Sequence, residues 1–434
     1  MYRKNFDEWS CNKRGETKYT LSGTDSRRWY QRDIDQITHS IGFRKLQKKS
    51  QLLSEKDPRS RSRLIHTIEV SRIAMEISER LGLSKELTEA ISLGHDIGTS
   101  PYGCIGNKFL QNKVCSEFSH EHVGSLMLTR ISQKETNNDE EFSRIAQVIH
   151  EKTNGFVIKE SNGTDFELKV SMCSSEDGEK YFIHHISPEV LDGVKNHGEG
   201  GKPQTLEGQV VKFADNIAYL SQDIEDLFST KIIAKSDGFV RKASAKQLYF
   251  LTQDKDTGKE IKREMLWENI NSFSDCKLNN AFNLTRGKRI ASFVDRFVDY
   301  NLKMLNEEKM TFEFSSILGK NIPQLQCDYG LNFIIDYLWN FIESNYSDML
   351  ISTSNSIQEA KMEQLWKILN DDKFKEKNKY YKKFLNEISQ NTLFSGMSND
   401  WKTAYFISHL SWFEVDLIID SFHERNYNFD LDLD

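Results

Sequence analysis

The sequence predicts a mostly α-helical protein with a small β-hairpin insertion, and three observations carry that expectation. Its 434 residues include five prolines, with none between Pro203 and Pro323, so long helices can run without the residue that breaks them. Apolar residues recur at three- and four-residue spacing through successive segments. Residues 153–187 are the exception: they alternate β-branched or aromatic residues around Asn162-Gly163 and Asp177-Gly178 turns.

Composition narrows the classes of function. The chain is 38% hydrophobic and 28% charged, and no run approaches the roughly 18 apolar residues needed to span a bilayer. The opening residues lack the apolar core of a signal peptide. The six cysteines Cys11, Cys104, Cys115, Cys173, Cys276 and Cys327 form no CxxC pair and read as free thiols of a reducing cytoplasm. A net charge of −7 argues against broad nucleic-acid binding. Arg44-Lys45 and Lys48-Lys49 make a local basic cluster, either a solvated face or an anion site. The length suggests several regions: an arm over 1–30, a core over 31–230 carrying the insertion, and a helical C-terminal region over 231–434.

Ile34, Ile37, Ile41, Phe43 and Leu46 are spaced for helical burial. After a loop at Asp57-Pro58, the residues Ile65, Ile68, Ile73, Ile77 and Leu81 predict an amphipathic helix capped by Gly82. His66 falls in its first turn, with Arg63 three residues earlier on the same side. Ser84 offers an N-cap for a second helix carrying Leu87, Ala90, Ile91 and Leu93 to His95-Asp96. The short turn between these helices makes them antiparallel and sets His66 beside His95-Asp96. Imidazole and carboxylate are both ligands for divalent cations.

Beyond a loop over 98–106, His120, Glu121 and His122 begin a helix with Val123, Leu126, Met127 and Ile131 as its apolar face. His184 and His185 close the insertion and have no assigned role. One long helix is expected from Leu206 to Phe228, with Val210, Phe213, Ile217, Ile224 and Leu227 as core. Along it Asp215, Tyr219 and Asp223 stand four residues apart, and Asp226 lies near their face. Such a stripe is a polar solvent face, or Asp215 is a fourth metal ligand. From Thr230 onward the chain reads as helical, with apolar periods around 290–305, 331–342, 361–369 and 405–422, and connections at 319–326 and 390–399.

The order His66, His95-Asp96, Asp215 resembles the HD-domain phosphohydrolases. The segments RDIDQITHSIGFRKLQKKSQL, RSRLIHTIEVSRIA, HDIGTSPYG and TLEGQVVKFADNIAYLSQDIEDL resemble the deoxyguanosine-triphosphate triphosphohydrolases and the related dNTP triphosphohydrolases, over roughly residues 30–228. The resemblance implies an HD-domain helical bundle in which His66, His95, Asp96 and Asp215 hold a divalent metal ion. It also implies that Gln51, Leu52 and Asp223 check the deoxyribose, that Arg63 contacts phosphate and that Tyr219 packs against sugar and phosphates. His120 and Glu121 match a catalytic histidine-glutamate pair. A bound cation lowers the pKa of water for attack on the α-phosphorus, and a histidine can protonate the departing 5′-oxygen.

Active members usually read HDxGHxPFxH followed by a carboxylate three residues on. Here those positions are Thr99, Cys104 and Asn107. A cysteine of ordinary pKa about 8.5 donates protons less readily than a histidine near 6.5, and asparagine cannot polarise a histidine as a carboxylate does. Two functions stay open at this point: a metal-dependent dNTP triphosphohydrolase, and a catalytically impaired nucleotide-binding sensor or regulatory subunit. Homo-oligomers, and dNTPs as allosteric ligands near the basic segment Arg44–Lys49, follow from the same resemblance. The metal could be Mn, Mg, Fe, Ni, Co or Zn.

Overall fold

In a computed structural model, the structure describes residues 4–11, 29–50, 61–134, 156–159, 165–168, 173–174, 180–181, 186–229, 249–253, 260–264, 286–332, 335–336, 339, 353–391, 394 and 396–424. The described chain is mostly α. The first helices are α1 (Trp29–His39), α2 (Ile41–Lys45), α3 (Arg63–Leu81), α4 (Lys85–Gly94), α5 (Gly103–Phe109) and α6 (His120–Lys134). The insertion holds two antiparallel hairpins, β1 (Phe156–Lys159) with β2 (Asp165–Leu168) and β3 (Cys173–Ser174) with β4 (Lys180–Tyr181). Next come α7 (Pro188–Asn196), α8 (Leu206–Ser229), hairpin β5 (Tyr249–Gln253) with β6 (Glu260–Glu264), and α9 (Arg286–Asn306). Hairpin β7 (Phe312–Ser315) with β8 (Lys320–Pro323) leads to α10 (Thr353–Asn370), α11 (Asp372–Lys377), α12 (Lys379–Gln390), α13 (Asn399–Ser408) and α14 (Trp412–His423).

The chain forms two compact units. One is 5–214 with 310–324 and 354–434; the other is 1–4, 215–309 and 325–353. Helix α8 starts in the first and from Asp215 belongs to the second.

In the first unit, α3 and α4 form the antiparallel pair their turn chemistry dictates. The Ser62 hydroxyl accepts from the Ile65 N–H, Gly82 ends α3 at φ 80°, and the Ser84 hydroxyl accepts from the Leu87 N–H. Val70, Ala74, Ile77 and Leu81 of α3 are buried with Leu87, Ala90 and Ile91 of α4. The end of α4 lies so close to its neighbours that a Cβ on Gly94 would stand 3.1 Å from both Leu128 of α6 and Val194 of α7. The N-terminal segment joins this core, with Phe6 buried and its N–H donating to Leu81 O at 2.9 Å. Helices α12 and α13 and the connection between them build an aromatic cluster in which the Tyr381 and Phe406 rings are 4.6 Å apart, and the Phe394 and Tyr405 rings 4.9 Å.

Four expectations change. Ile65 and Ile68 are exposed, and the inner face of the first turns of α3 is instead Arg63, His66, Thr67 and Val70. The loop over 98–106 already turns helical at Gly103. The region after Thr230 is not all helix. It contains β5–β6 and β7–β8, the latter from the alternating Phe312-Glu313-Phe314 and the left-handed Gly319 at φ 61°. The basic run over 44–49 is not a uniform solvated face. Lys45 pairs with Glu414 at 2.8 Å and Lys49 is fully enclosed, while Arg44 and Lys48 are exposed.

In the second unit, α9 buries Phe293, Val294, Phe297 and Val298. Arg296 pairs with Asp328 at 2.5 Å, and the Arg289 guanidinium donates to Ser221 O at 3.1 Å. Tyr219 of α8 stacks on Trp339, centroids 5.1 Å apart and planes 20° apart.

Candidate metal centre

The floor of the site is the junction of α4 with the loop after it. His95 is the residue past α4, and its Nδ1 lies 2.6 Å from Ser92 O. A carbonyl can only accept, so Nδ1 carries the hydrogen and Nε2 of the neutral ring is an electron-pair donor. That Nε2 stands 3.3 Å from Asp96 Oδ2, with His66 Nε2 3.9 Å from the same oxygen. All three side chains are buried, and their ligand atoms lie within 4.8 Å of one another. A proton satisfies one such pair at a time, whereas a divalent cation satisfies all three donors, so the group fits a metal ion.

Asp96 is held from the other side. Arg63 Nη1 donates to both carboxylate oxygens, at 3.2 and 3.0 Å, and the Thr99 hydroxyl donates to Oδ1 at 2.8 Å. Burial opposes its charge, but Arg63 and then His95 and His66 outweigh burial and keep the carboxyl well below the usual range.

Glycine 98 sets the distance to α6. A Cβ there would fall 2.1 Å from His120 O and 2.3 Å from Gly124 N, so only glycine lets the backbones meet. This contact brings His120 Nε2 to 3.9 Å from Asp96 Oδ1. His120 Nδ1 lies 3.2 Å from Glu121 Oε2, and Ser119 donates to that same oxygen at 2.5 Å. Burial works against the Glu121 charge, yet the His120 and His197 imidazoles and the Ser119 hydroxyl hold its pKa at about 2.

The positions that depart from the usual motif have structural partners here. Thr99 supports Asp96, the Asn107 carbonyl accepts from Ser100 N–H at 3.0 Å, and the Cys104 sulfur accepts from Arg63 Nη2 at 3.5 Å. His122 faces Trp401 at 5.8 Å instead of joining the site.

The fold thus brings together Arg63, His66, His95, Asp96, His120 and Glu121. Asp215 and Tyr219 stand one turn apart on α8. Asp223 is on the same helix, with its side chain outside the described residues, as are Gln51 and Leu52 altogether. His197 is the residue the sequence reading passed over. It stands one position past α7 and its ring lies 5.1 Å from His95 and 5.5 Å from His120. The only signal for it was a histidine before a glycine at a helix end.

Residues 63–220 match the HD domain family. The chain is 34% identical over 214 residues to a deoxyguanosinetriphosphate triphosphohydrolase-like protein of Caldanaerobacter subterraneus subsp. tengcongensis, covering 49% of this chain and 50% of that one. A similarly named protein of Clostridium perfringens (strain SM101 / Type A) is 29% identical over 317 residues, 71% of this chain and 73% of that protein. One from Neorickettsia sennetsu is 32% identical over 209 residues, 48% and 49% of the two chains. The chain thus spans about half the length of most of these relatives. The matched region takes in α3 through most of α8, and with it Arg63, His66, His95, Asp96, His120, Glu121 and His197. Among the described residues, no helix is long and apolar enough to cross a membrane.

Proposed function

We propose that this HD-domain protein is a metal-dependent phosphohydrolase that cleaves deoxynucleoside triphosphates, dGTP among them, to deoxynucleoside and triphosphate. The observation that carries the reading is the enclosed group His66, His95 and Asp96, whose donors face one another across a gap suited to a cation. Its relatives' names support the substrate class. Asp215 is proposed as the fourth ligand on the strength of its position in the motif. When bound, the cation supplies Lewis-acid stabilisation of phosphate charge.

The chain's own groups fit the remaining tasks. Arg63 anchors Asp96 through Nη1, and its Nη2 edge is proposed to meet a phosphate oxygen, for which a guanidinium is well matched. His120 is partly open to solvent and is proposed to protonate the departing 5′-oxygen. Glu121 stays ionised at neutral pH and orients that ring through Nδ1. Gln51, Leu52 and Asp223 are proposed to recognise the deoxyribose, and Tyr219 to pack on sugar and phosphates.

The test is to incubate the purified protein with each dNTP singly and with all four together, in Mn²⁺ or Mg²⁺, and resolve the products. Deoxynucleoside and triphosphate are expected. No triphosphate from any mixture sinks the enzyme reading. The alternative is a nucleotide sensor, favoured by the structural use made of Asn107 and Cys104. It predicts metal-dependent nucleotide binding without turnover, and activity gained by Cys104→His with Asn107→Glu. Homo-oligomerisation and a regulatory partner are further proposals, to be checked by sedimentation with and without dNTPs.

A further inference from the structure

His197 repeats the construction of His95. Each is the first residue beyond a helix, α7 or α4, with αR backbone: φ −71° and ψ −28° for His197, φ −58° and ψ −37° for His95. Each ring has Nδ1 2.6 Å from the carbonyl oxygen three residues back, Val194 O or Ser92 O. The carbonyl fixes the hydrogen on Nδ1, so in both neutral rings Nε2 is the electron-pair donor. This pinning of one ring nitrogen by a backbone carbonyl is the support that metal-ligating histidines characteristically have.

The two rings meet almost perpendicularly, 5.1 Å apart at 89°, and offer ligand atoms within 4.8 Å of each other. His197 is 3% exposed, as buried as His66. The next residue is Gly198, and a Cβ there would fall 1.9 Å from Glu121 Oε1, so the chain lies directly against the Glu121 side chain at this point. Gly198 thus packs on Glu121 while the His197 ring stays against His95. Glu121 is the competing partner for Nε2; Ser119 and His120 both meet its Oε2, and a neutral His197 ring has no hydrogen on Nε2 to donate to Oε1.

We infer that His197 is an additional ligand, through Nε2, of the cation held by His66, His95 and Asp96. This rests on the metal reading above and enlarges it from two imidazoles to three. The donor set then leans toward nitrogen, which suits Mn, Fe, Co, Ni or Zn better than Mg.

The experiment uses the full chain, stripped of metal and reloaded with Mn²⁺ or Co²⁺. Pulsed EPR of the Mn²⁺ form and X-ray absorption of the Co²⁺ form count coordinated imidazoles directly on the unaltered protein. Three are expected. The variant His197→Gln should show two and bind Mn²⁺ at least ~10-fold more weakly by titration calorimetry. Two imidazoles in the unaltered protein, or unchanged affinity in His197→Gln, overturns the assignment and leaves the metal site standing. Failure of the unaltered protein to bind any of these ions removes both readings together.

Discussion

At Asp96 one carboxylate serves four side chains: the Arg63 guanidinium, the Thr99 hydroxyl and the imidazoles of His95 and His66. Removing one member of a buried ion pair strands the other charge. Arg63→Ala should therefore lower unfolding free energy by about 3 kcal/mol, measured by denaturant titration, and loosen metal binding as well. Arg63→Lys should recover only part of this, because a single ammonium cannot span both carboxylate oxygens. His122 makes a separate, pH-dependent claim. Burial lowers its pKa from 6.5 to about 4. Between those values the unfolded chain binds more protons than the folded one, so stability falls as pH drops from about 6.5 toward 4. His122→Gln should flatten that part of a melting-temperature profile; an unchanged slope would assign the acid sensitivity elsewhere. The sequence left His122 at a helix start, where a solvent role was a fair reading. Only its packing on Trp401, 279 residues away in sequence, decides the matter.

At the scale of elements, the helix pair α3–α4 was legible because local chemistry alone fixes its ends. Ser62, Gly82 and Ser84 are caps whose effect needs no distant partner. Gly82→Ala should cost about 1–2 kcal/mol from its left-handed backbone, and a Cβ there would also stand 2.1 Å from Asp7 Oδ1. The outcome is read as a lower thermal midpoint. The inward face of α3 was misjudged because apolar spacing assumes an apolar neighbour. Here the first turns of α3 face the buried His95-Asp96 pair, so Arg63, His66 and Thr67 turn inward and Ile65 and Ile68 outward. Gly98 shows the same dependence on a neighbour. Gly98→Ala should push α6 away from the loop and separate His120 from Asp96. Metal binding through His66, His95 and Asp96 is then expected to persist, while turnover in the dNTP assay falls by at least ~10² -fold, the lower range for loss of general acid catalysis.

At the scale of the molecule, the C-terminal helices of the first unit are tied through Lys45 and Lys49 to the loop after α4. Lys49 Nζ donates to Thr99 O at 2.6 Å and Ser408 O at 2.7 Å, with Ile97 O at 3.4 Å. Desolvation pulls its pKa down to about 7. Lys45 reaches Glu414 and His409 O in parallel. The loop that supports Asp96 is thus braced by residues more than 300 positions later in the chain. Lys49→Met would leave the Thr99 and Ser408 carbonyls buried without their donor and should cost about 2 kcal/mol or more. Deleting residues 399–434 is expected to abolish a cooperative melt of the HD domain, followed by circular dichroism. An independent, fully stable HD domain after that deletion would contradict the brace.

The sequence by itself determined what depends on near neighbours: the mostly helical class, the caps of α3 and α4, the meeting of His66 with His95-Asp96, and the extent of α8. Each follows from periodicity, turn residues or a motif short enough to read along one chain. Tertiary structure alone decided what depends on partners far apart: the outward turn of Ile65 and Ile68, the enclosure of Lys49, the structural use of Asn107, and the arrival of His197 beside His95. Burial and hydrogen bonding are properties of a place in space, and a residue's place is set by every element that packs around it.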